Sequence, residues 1–138
     1  MIKSDQEYIE LQLGKRYSYK KFNCWHLVME YLHNVPDYSP EEKENIQQAF
    51  IEALAKHKEL FEEVSEPCNG DVVIYISSII CHCGLWFDNK VLHNSPQIKQ
   101  VAMENHREIL KRFKQCRYFR FNGVRWQNGI NSGIAETL

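Results

Sequence analysis

Residues 22–28, FNCWHLV, begin an apolar run with a cysteine at position 24. Asn23 suits a helix N-cap, because its side-chain oxygen can accept hydrogen bonds from the unpaired N–H groups of a first helical turn. Apolar residues then recur at helical spacing as far as Leu32, which indicates one buried stripe. The pattern therefore predicts that Cys24 is the first residue of a mostly buried helix, where the helix dipole stabilises a thiolate.

Burial without any chemical role is the alternative interpretation of Cys24. Free cysteine is among the residue types most often found in protein cores, so this is the more common situation for a cysteine considered alone. A thiol becomes an effective nucleophile when a base lies beside it. The histidines of the chain therefore decide between the two interpretations.

Length, composition and charge are those of one globular domain. The chain has 138 residues, 43% hydrophobic and 25% charged, and we predict a single domain over 1–138. A formal net charge of -1 provides no field to recruit nucleic acid or an anionic membrane surface. The absence of a signal-peptide pattern and of a membrane-spanning run predicts synthesis in the cytoplasm. Five cysteines without a secretion signal predict reduced thiols.

Helices are predicted in the first half of the chain and strands in the second half. The predicted helices are a short one ending near Gly14, one from Cys24 to a stop at Pro36, one over 39–61 that Ser39 caps, and one over 104–113. The predicted strands lie within 71–80, with a bend at 77–78, and over 82–87, 91–95, 98–101 and 116–121. Residues 122–138 contain three glycines and are predicted to be a poorly ordered tail. This plan is α+β, with N-terminal helices packed on an antiparallel sheet.

A two-residue turn at 88–89 determines which side chains share a face of the predicted hairpin. Side chains two positions apart lie on the same face, so His82 and His93 become diagonal neighbours, roughly 7–8 Å apart at the backbone. Gly84 lies opposite His93 and is expected to leave that face open between the two imidazoles. The same register predicts the pairs Phe87 with Lys90 and Leu85 with Leu92.

Together, a cysteine at a helix start and two histidines on one face are the parts of a cysteine–histidine nucleophile pair. His82 is the candidate base, which takes the thiol proton and later gives it to a leaving amine. His93 is the candidate partner that holds His82 in the productive tautomer and orientation.

Four short motifs follow one another in a recognisable order. They are a tyrosine-containing loop that leads into 23–28, NCWHLV; 70–74, GDVVI, before a strand; 82–86, HCGLW; and 92–95, LHNS. Their order and spacing, over roughly 13–121, resemble those of the NlpC-type, papain-like cysteine peptidases that cut bacterial cell-wall peptides. The nearest resemblance is to the short phage-tail and prophage members of that family.

The resemblance implies a papain-like fold and a Cys24, His82, His93 triad that acts without metal or organic cofactor. It implies a peptidoglycan stem peptide as substrate, cut between D-glutamate and a diamino acid. It also implies an oxyanion hole made of the Cys24 backbone N–H and the hydroxyl of Tyr17, with Tyr19 as the second choice. The implied setting is a phage or prophage tail, with tail proteins as partners and the cell wall as the site of action.

The chain departs from the family pattern at three places. Asn23 occupies a position that is usually aspartate, which changes the local charge but keeps a capping side chain. His26 replaces a residue that is usually small, and its imidazole is expected to narrow the cleft. The acidic segment over 39–61 is longer than the usual connection, so it either shapes substrate access or only packs.

Zinc binding and nucleic-acid binding are two other interpretations of this sequence. Cys68, Cys81 and Cys83 with the two histidines lack the paired Cys-x2-Cys spacing of structural zinc sites. Cys81 and Cys83 are instead expected to pack under the sheet, away from His82. Basic and aromatic residues alternate over 107–125, but a near-neutral chain favours solvated charged faces over a nucleic-acid stripe. The remaining histidines, His33, His57 and His106, are expected at the surface.

Two further functions remain open at the sequence level. One is a structural tail subunit that keeps the fold with weak or no catalysis. The other is a related thiol hydrolase or acyl transferase that acts on a different amide or ester.

Overall fold

A computed structural model describes residues 4–32 and 46–123. The helices are α1 (Asp5–Gln12), α2 (Cys24–Leu32), α3 (Ile46–Lys56) and α4 (His106–Leu110), with a 3-10 turn at Lys58–Leu60. The strands are β1 (Phe61–Val64), β2 (Val72–Ile76), β3 (Ile80–Phe87), β4 (Lys90–Ser95), β5 (Gln100–Asn105) and β6 (Gln115–Phe121). They form one antiparallel sheet in the order β1-β6-β2-β3-β4-β5. The predicted α+β architecture, helices first and then an antiparallel sheet, is confirmed.

The β3–β4 hairpin has the predicted turn and register. Asp88 and Asn89 have φ values of 52° and 67°, the left-handed pair that a type I′ turn requires. Leu85 lies opposite Leu92, and Phe87 lies opposite Lys90. The turn and register that determine which side chains share a face of the hairpin are therefore as the sequence predicts.

Apolar clusters lie on both faces of the sheet. Helix α2 packs against β3 and β4 on one face, and eight of its nine residues are buried, which leaves it almost no polar side. A fully buried leucine such as Leu27 contributes roughly 1.5–3 kcal/mol to folding. The other face carries a smaller cluster around Val73, Tyr75 and Ile109, against which Phe113 packs.

Helix α1 is tied to α2 by hydrogen bonds as well as by packing. The buried Tyr8 hydroxyl donates to the Leu27 carbonyl oxygen at 2.7 Å, and the Tyr31 hydroxyl donates to Asp5 Oδ1 at the same distance. The aromatic rings of Tyr8 and Tyr31 also meet edge to face, with centroids 5.3 Å apart. These contacts hold the body of α2 in place, so its first residue is presented at a fixed position.

The predicted C-terminal end of the 39–61 helix is wrong. Helix α3 ends at Lys56, and β1 follows the 3-10 turn and pairs with β6, Phe61 lying opposite Phe121. The sequence gives no sign of β1, because Phe61 continues the helical apolar stripe of α3 and only its pairing with a distant strand makes it extended. The predicted cap at Ser39 and the stop at Pro36 lie outside the described residues.

The boundary between β5 and α4 also differs from the prediction. Residues 98–101 were the expected strand and 104–113 the expected helix, whereas β5 continues to Asn105 and α4 is short. Asn105 caps α4, since its Oδ1 accepts from the Arg107 N–H at 2.9 Å, so Glu104 belongs to the strand.

The predicted strand run 71–80 divides at the expected bend, because β2 ends at Ile76 and β3 begins at Ile80. Of the predicted tail over 122–138, residues 124–138 lie outside the described part of the chain. Among the described residues, no helix has the length and apolar character needed to cross a membrane.

Candidate active site

Helix α2 begins at Cys24, and two side chains cap its first turn. Asn23 Oδ1 accepts from the backbone N–H groups of Trp25, at 2.9 Å, and His26, at 3.3 Å, as the sequence predicts. In return His26 Nδ1 accepts from the backbone N–H of Asn23 at 3.1 Å. His26 therefore takes the part that glutamate or glutamine takes in a capping box.

The Cys24 thiol is buried beside Cys83 and His82, the two residues that lower its pKa. It is 3% exposed, and the thiol and backbone N–H of Cys83 and the side chain of His82 lie near enough to favour its thiolate. The Cys83 thiol is the largest influence on the pKa of Cys24 and lowers it, whereas burial, the next largest, raises it. His82 lowers it further, and the net result is a pKa well below the ordinary value. Burial and the neighbouring Cys24 raise the pKa of Cys83 well above its ordinary value, so Cys83 stays protonated and acts as the donor.

The involvement of Cys83 is a contact that the sequence interpretation missed. Cys83 is fully buried on the α2 face, as predicted, but this places it against Cys24. The β3–β4 ladder runs from Phe87 with Lys90 to Leu85 with Leu92. Two residues before Leu85 in β3, the Cys83 backbone N–H lies near enough to Cys24 to help lower the pKa of its thiol. The side chain of Cys81 lies outside the described residues.

His82 lies in β3 and is held between aromatic rings. Its imidazole is stacked on Phe113, with an angle of 3° between the planes and 6.1 Å between the centroids. Tyr75, which pairs with His82 across β2 and β3, lies at 6.0 Å and 27°. These contacts restrict rotation of the ring, so the direction of its two nitrogens is determined.

His93 is fully buried, and both of its ring nitrogens have partners. Nδ1 lies 2.7 Å from His82 Nε2, and Nε2 lies 2.7 Å from an oxygen of Glu104. Burial lowers the pKa of His93 to about 4, helped by the nearby His82 and opposed by Glu104. His93 is therefore a neutral imidazole near pH 7. The structure thus brings Cys24, His82 and His93 into one connected group.

Glu104 extends this group, and it too was missed by the sequence interpretation. It lies in β5, opposite Val91, while His93 is opposite Ala102, so Glu104 and His93 are diagonal neighbours on one face. The sequence signal was present as spacing, since His82 and His93, and then His93 and Glu104, are each 11 residues apart. Assigning Glu104 to a helix concealed it.

The loop before α2 places Tyr17 near enough to Cys24 for the two groups to interact electrostatically. Its backbone is held by β5, since the Tyr17 N–H donates to the Lys99 carbonyl at 3.0 Å and Arg16 pairs with Gln100. Burial, with Cys24 as the next largest influence, raises the pKa of Tyr17 to about 12, so the phenol keeps its proton and remains a donor. The alternative donor, Tyr19, is 58% exposed.

The expectation that Gly84 leaves an open gap between the histidines is wrong. A Cβ at position 84 would lie 2.4 Å from Val91 Cγ1, 2.9 Å from the Leu92 carbonyl oxygen and 3.1 Å from His93 Cβ. The absence of a Cβ in glycine therefore allows β4 to pack closely against β3 at this position. That approach sets the short contact between His82 and His93.

The other candidate residues have structural roles in the described part of the chain. Gly70 adopts a positive φ of 91°, and Asp71 accepts from both Arg120 nitrogens, at 3.1 and 2.9 Å, which anchors the start of β2 to β6. Within the described residues, no group of three or more histidine, cysteine or acidic side chains is arranged to hold a metal ion.

Two of the three histidines expected at the surface are buried. His57 is 8% exposed and His106 is 9% exposed. The imidazole of His106 lies 2.9 Å from the Tyr75 hydroxyl and 3.2 Å from the Tyr118 hydroxyl, so it packs the face of the sheet opposite α2. His33 lies outside the described residues.

Several basic residues of the segment after 107 are paired with acidic residues. Examples are the ion pairs of Arg117 with Glu63, Arg112 with Glu104 and Lys111 with Glu108. This pairing fits a solvated charged surface on a helix and a strand better than it fits a nucleic-acid-binding surface. Arg125 lies outside the described residues.

Residues 14–120 match the family model described as "NlpC/P60 family". The proteins of this family are cysteine peptidases, and in general they are peptidases or amidases of the cell wall. No curated protein matches the chain.

Proposed function

We propose that this chain, which belongs to the NlpC/P60 family, is a papain-like cysteine peptidase that hydrolyses amide bonds in peptidoglycan stem peptides. The observation that supports this most is the position of the buried Cys24 thiol beside His82, whose Nε2 lies 2.7 Å from His93 Nδ1. A structural cysteine needs neither a base beside it nor a second imidazole behind that base.

In the first half of the reaction, the Cys24 thiolate attacks the amide carbonyl carbon. The new C–S bond converts the carbonyl oxygen to an oxyanion, and the protonated His82 then donates its proton to the amine as the C–N bond breaks. The product is an acyl-enzyme and a free amine. In the second half, His82 takes a proton from water, the hydroxide attacks the acyl carbon, and the C–S bond breaks to regenerate Cys24.

The oxyanion is held by the Cys24 backbone N–H and the Tyr17 hydroxyl. Both groups belong to rigid segments, since Cys24 starts α2 and the Tyr17 backbone is bonded to Lys99 beside β5. A donor of this kind contributes about 3–4 kcal/mol of transition-state stabilisation, because it interacts with charge that develops only during the reaction.

The bond cut, the setting and the triad roles are carried over from the family resemblance. The proposed bond joins D-glutamate to a diamino acid, and the proposed setting is a phage or prophage tail that opens the cell wall locally. In this setting the protein is made in the cytoplasm, contacts tail proteins and acts at the wall. No cofactor enters the proposed steps.

Digestion of purified cell wall tests this function. Wild-type protein and the Cys24→Ala variant are incubated with peptidoglycan, and the fragments are identified by mass spectrometry. Wild type is expected to release fragments cut within the stem, and the variant is expected to release none. Intact stems after incubation with wild type would exclude the cell-wall substrate.

Thiol labelling separates catalysis from a purely structural role. Iodoacetamide near pH 7 is expected to modify Cys24 faster than the other four cysteines, because its pKa lies well below the ordinary value. Uniform slow labelling of all five would instead favour a structural subunit. Fast labelling of Cys24 without wall digestion would favour a thiol hydrolase or acyl transferase for another substrate.

A further inference from the structure

We propose that Glu104 is a positioning residue whose carboxylate selects the tautomer of His93 and, through it, the nitrogen of His82 that exchanges a proton with Cys24. The inference rests on the proposed function for its kinetic consequences, but not for its structural ones. The residue acts through His93 and does not touch the thiol.

The geometry places one side chain from each of three consecutive strands on a single line. His82 of β3, His93 of β4 and Glu104 of β5 are linked by two contacts of 2.7 Å each. The two residues of each pair are 11 positions apart in the sequence, and His93 and Glu104 are diagonal neighbours across β4 and β5. A bend or slip in any of the three strands would break the line.

The proton positions follow from the carboxylate at the end of this line. A carboxylate only accepts, so the His93 nitrogen facing Glu104, Nε2, must carry a proton. Neutral His93 then has no proton on Nδ1, which must accept from His82 Nε2–H. The nitrogen of His82 left to face Cys24 is Nδ1, and it is free to accept the thiol proton.

The same arrangement serves the protonated form of His82. When His82 takes the thiol proton at Nδ1, its Nε2–H still donates to neutral His93, and His93 still donates to the carboxylate. No other proton has to move. Glu104 therefore stabilises the imidazolium through a chain of aligned donors, without itself becoming protonated.

Removal of the carboxylate allows the opposite set of tautomers. If His93 carries its proton on Nδ1, it donates to His82 Nε2, and a neutral His82 must then carry its proton on Nδ1. That proton faces the Cys24 thiol, so His82 has no lone pair with which to act as a base. His93 is 0% exposed, so water does not reach its Nδ1 to accept the proton in place of His82.

Arg112 supports the orientation of Glu104 from the solvent side. Its guanidinium lies 3.4 Å from the Glu104 oxygen that also faces His93, and the two side chains are 37% and 23% exposed. At this exposure the ion pair is weak, so Arg112 is expected to matter less than the carboxylate itself. The charged or titratable groups that face His93 are thus His82, Glu104 and Arg112.

The test compares Glu104→Leu, Glu104→Gln and Glu104→Asp with the matched control Glu108→Gln. Glu108 is an exposed acid four residues away whose partner is Lys111, so its replacement changes charge without touching the histidines. Leucine removes the acceptor, glutamine keeps a possible acceptor without charge, and aspartate keeps the carboxylate. Circular dichroism and a thermal melt establish that each variant is folded.

Two kinetic readouts are expected to change together. For Glu104→Leu, kcat on peptidoglycan and the alkylation rate of Cys24 near pH 7 are expected to fall by about 10–100-fold, with KM unchanged. Both rates of Glu104→Gln should lie between those of Glu104→Leu and wild type. Glu104→Asp should have rates close to those of wild type, and Glu108→Gln should have the wild-type rates. A folded Glu104→Leu variant with wild-type kcat and alkylation rate would overturn the proposal.

Nitrogen-15 NMR of the histidine rings in the wild-type protein provides a test that needs no variant. His93 is expected to be protonated on Nε2 and unprotonated on Nδ1 near pH 7, and wild-type protein with a proton on Nδ1 would overturn the proposal even if the variants do not fold. Alkylation and NMR need no substrate. Failure of wild type to digest cell wall would therefore count against the proposed function, while these two measurements still decide the role of Glu104.

Discussion

Asn23 and His26 cap helix α2 reciprocally: Asn23 Oδ1 accepts from the His26 N–H at 3.3 Å, and His26 Nδ1 accepts from the Asn23 N–H at 3.1 Å. These two residues are the places where the chain departs most from the family pattern around Cys24. The reciprocal bonds explain both departures at once, since an asparagine cap is paired with an imidazole that closes the box. His26 belongs to the capping of α2, so His82 remains the residue that we propose as the base.

Replacement of His26 tests this assignment. Glutamine at the same position can close a capping box, whereas alanine cannot, so His26→Ala is expected to lower the free energy of unfolding by ~0.5–2 kcal/mol and His26→Gln by less. Urea unfolding measures both. If His26→Ala kept wild-type stability but lost activity as fully as His82→Ala, the imidazole would belong to the chemistry instead.

Asn23→Asp is expected to weaken the site although aspartate is the usual residue in the family. Asn23 Nδ2 donates to the Tyr19 carbonyl at 2.8 Å, and a carboxylate would place an oxygen against that carbonyl. The lost bond costs about 1 kcal/mol and loosens the loop that carries Tyr17. Stability and kcat should both decrease. A more stable and equally active Asn23→Asp protein would show that the helix dipole outweighs this contact.

Gly84→Ala is expected to destabilise the protein and to separate His82 from His93. The added Cβ would meet Val91 Cγ1 and the Leu92 carbonyl oxygen at distances no real Cβ adopts, and the second of these is backbone. Overpacking of this kind costs about 1–3 kcal/mol. Chemical denaturation measures the stability, and activity should fall further than stability explains. A Gly84→Ala protein that unfolds at the same denaturant concentration as wild type would contradict the close packing of β3 and β4.

Cys83→Ala is expected to slow the alkylation of Cys24 near pH 7. The Cys83 thiol is the largest influence that lowers the pKa of Cys24, so its removal should move the profile of alkylation rate against pH to higher pH. The direction follows because the thiolate loses a donor while the thiol loses little. Cys68→Ala is the control, since Cys68 is exposed and should leave the profile in place. An identical profile for Cys83→Ala would remove Cys83 from the site.

The burial of His93 predicts a loss of stability in mild acid. Its pKa is about 4 when folded, against 6.5 for an ordinary histidine, so the unfolded chain binds more protons between these values. Stability therefore falls as the pH decreases from about 6.5 to about 4, by on the order of 3 kcal/mol. Urea unfolding across this range measures the slope. His93→Gln should show a shallower slope, and equal slopes for both proteins would contradict a neutral His93.

The sequence predicts the parts of the site that depend on local periodicity. The Asn23 cap, the start of α2 at Cys24 and the 88–89 turn follow from side-chain chemistry within a few residues, and the structure has all three. The turn alone places His82 and His93 on one face, because strand parity carries over from a known turn.

Contacts between distant segments escape this kind of inference. Strand β1 exists because β6 pairs with it, although its sequence continues the apolar pattern of the preceding helix. The partnership of Glu104 with His93 depends on the register of β4 with β5, which the wrong boundary at 98–101 had concealed. Both errors concern which segments meet, and no local pattern contains that information.

Local patterns in the sequence therefore predict a cysteine at the start of a capped helix, a two-residue turn and two histidines on one face of the hairpin. The packing of distant segments adds the rest: Cys83 lies beside the Cys24 thiol, His26 accepts from the Asn23 N–H, and a Glu104 oxygen lies 2.7 Å from His93 Nε2. The physical reason is that hydrogen bonds of 2.7 Å depend on where whole strands and helices are packed. Chain neighbours alone set only the direction in which each side chain leaves its backbone.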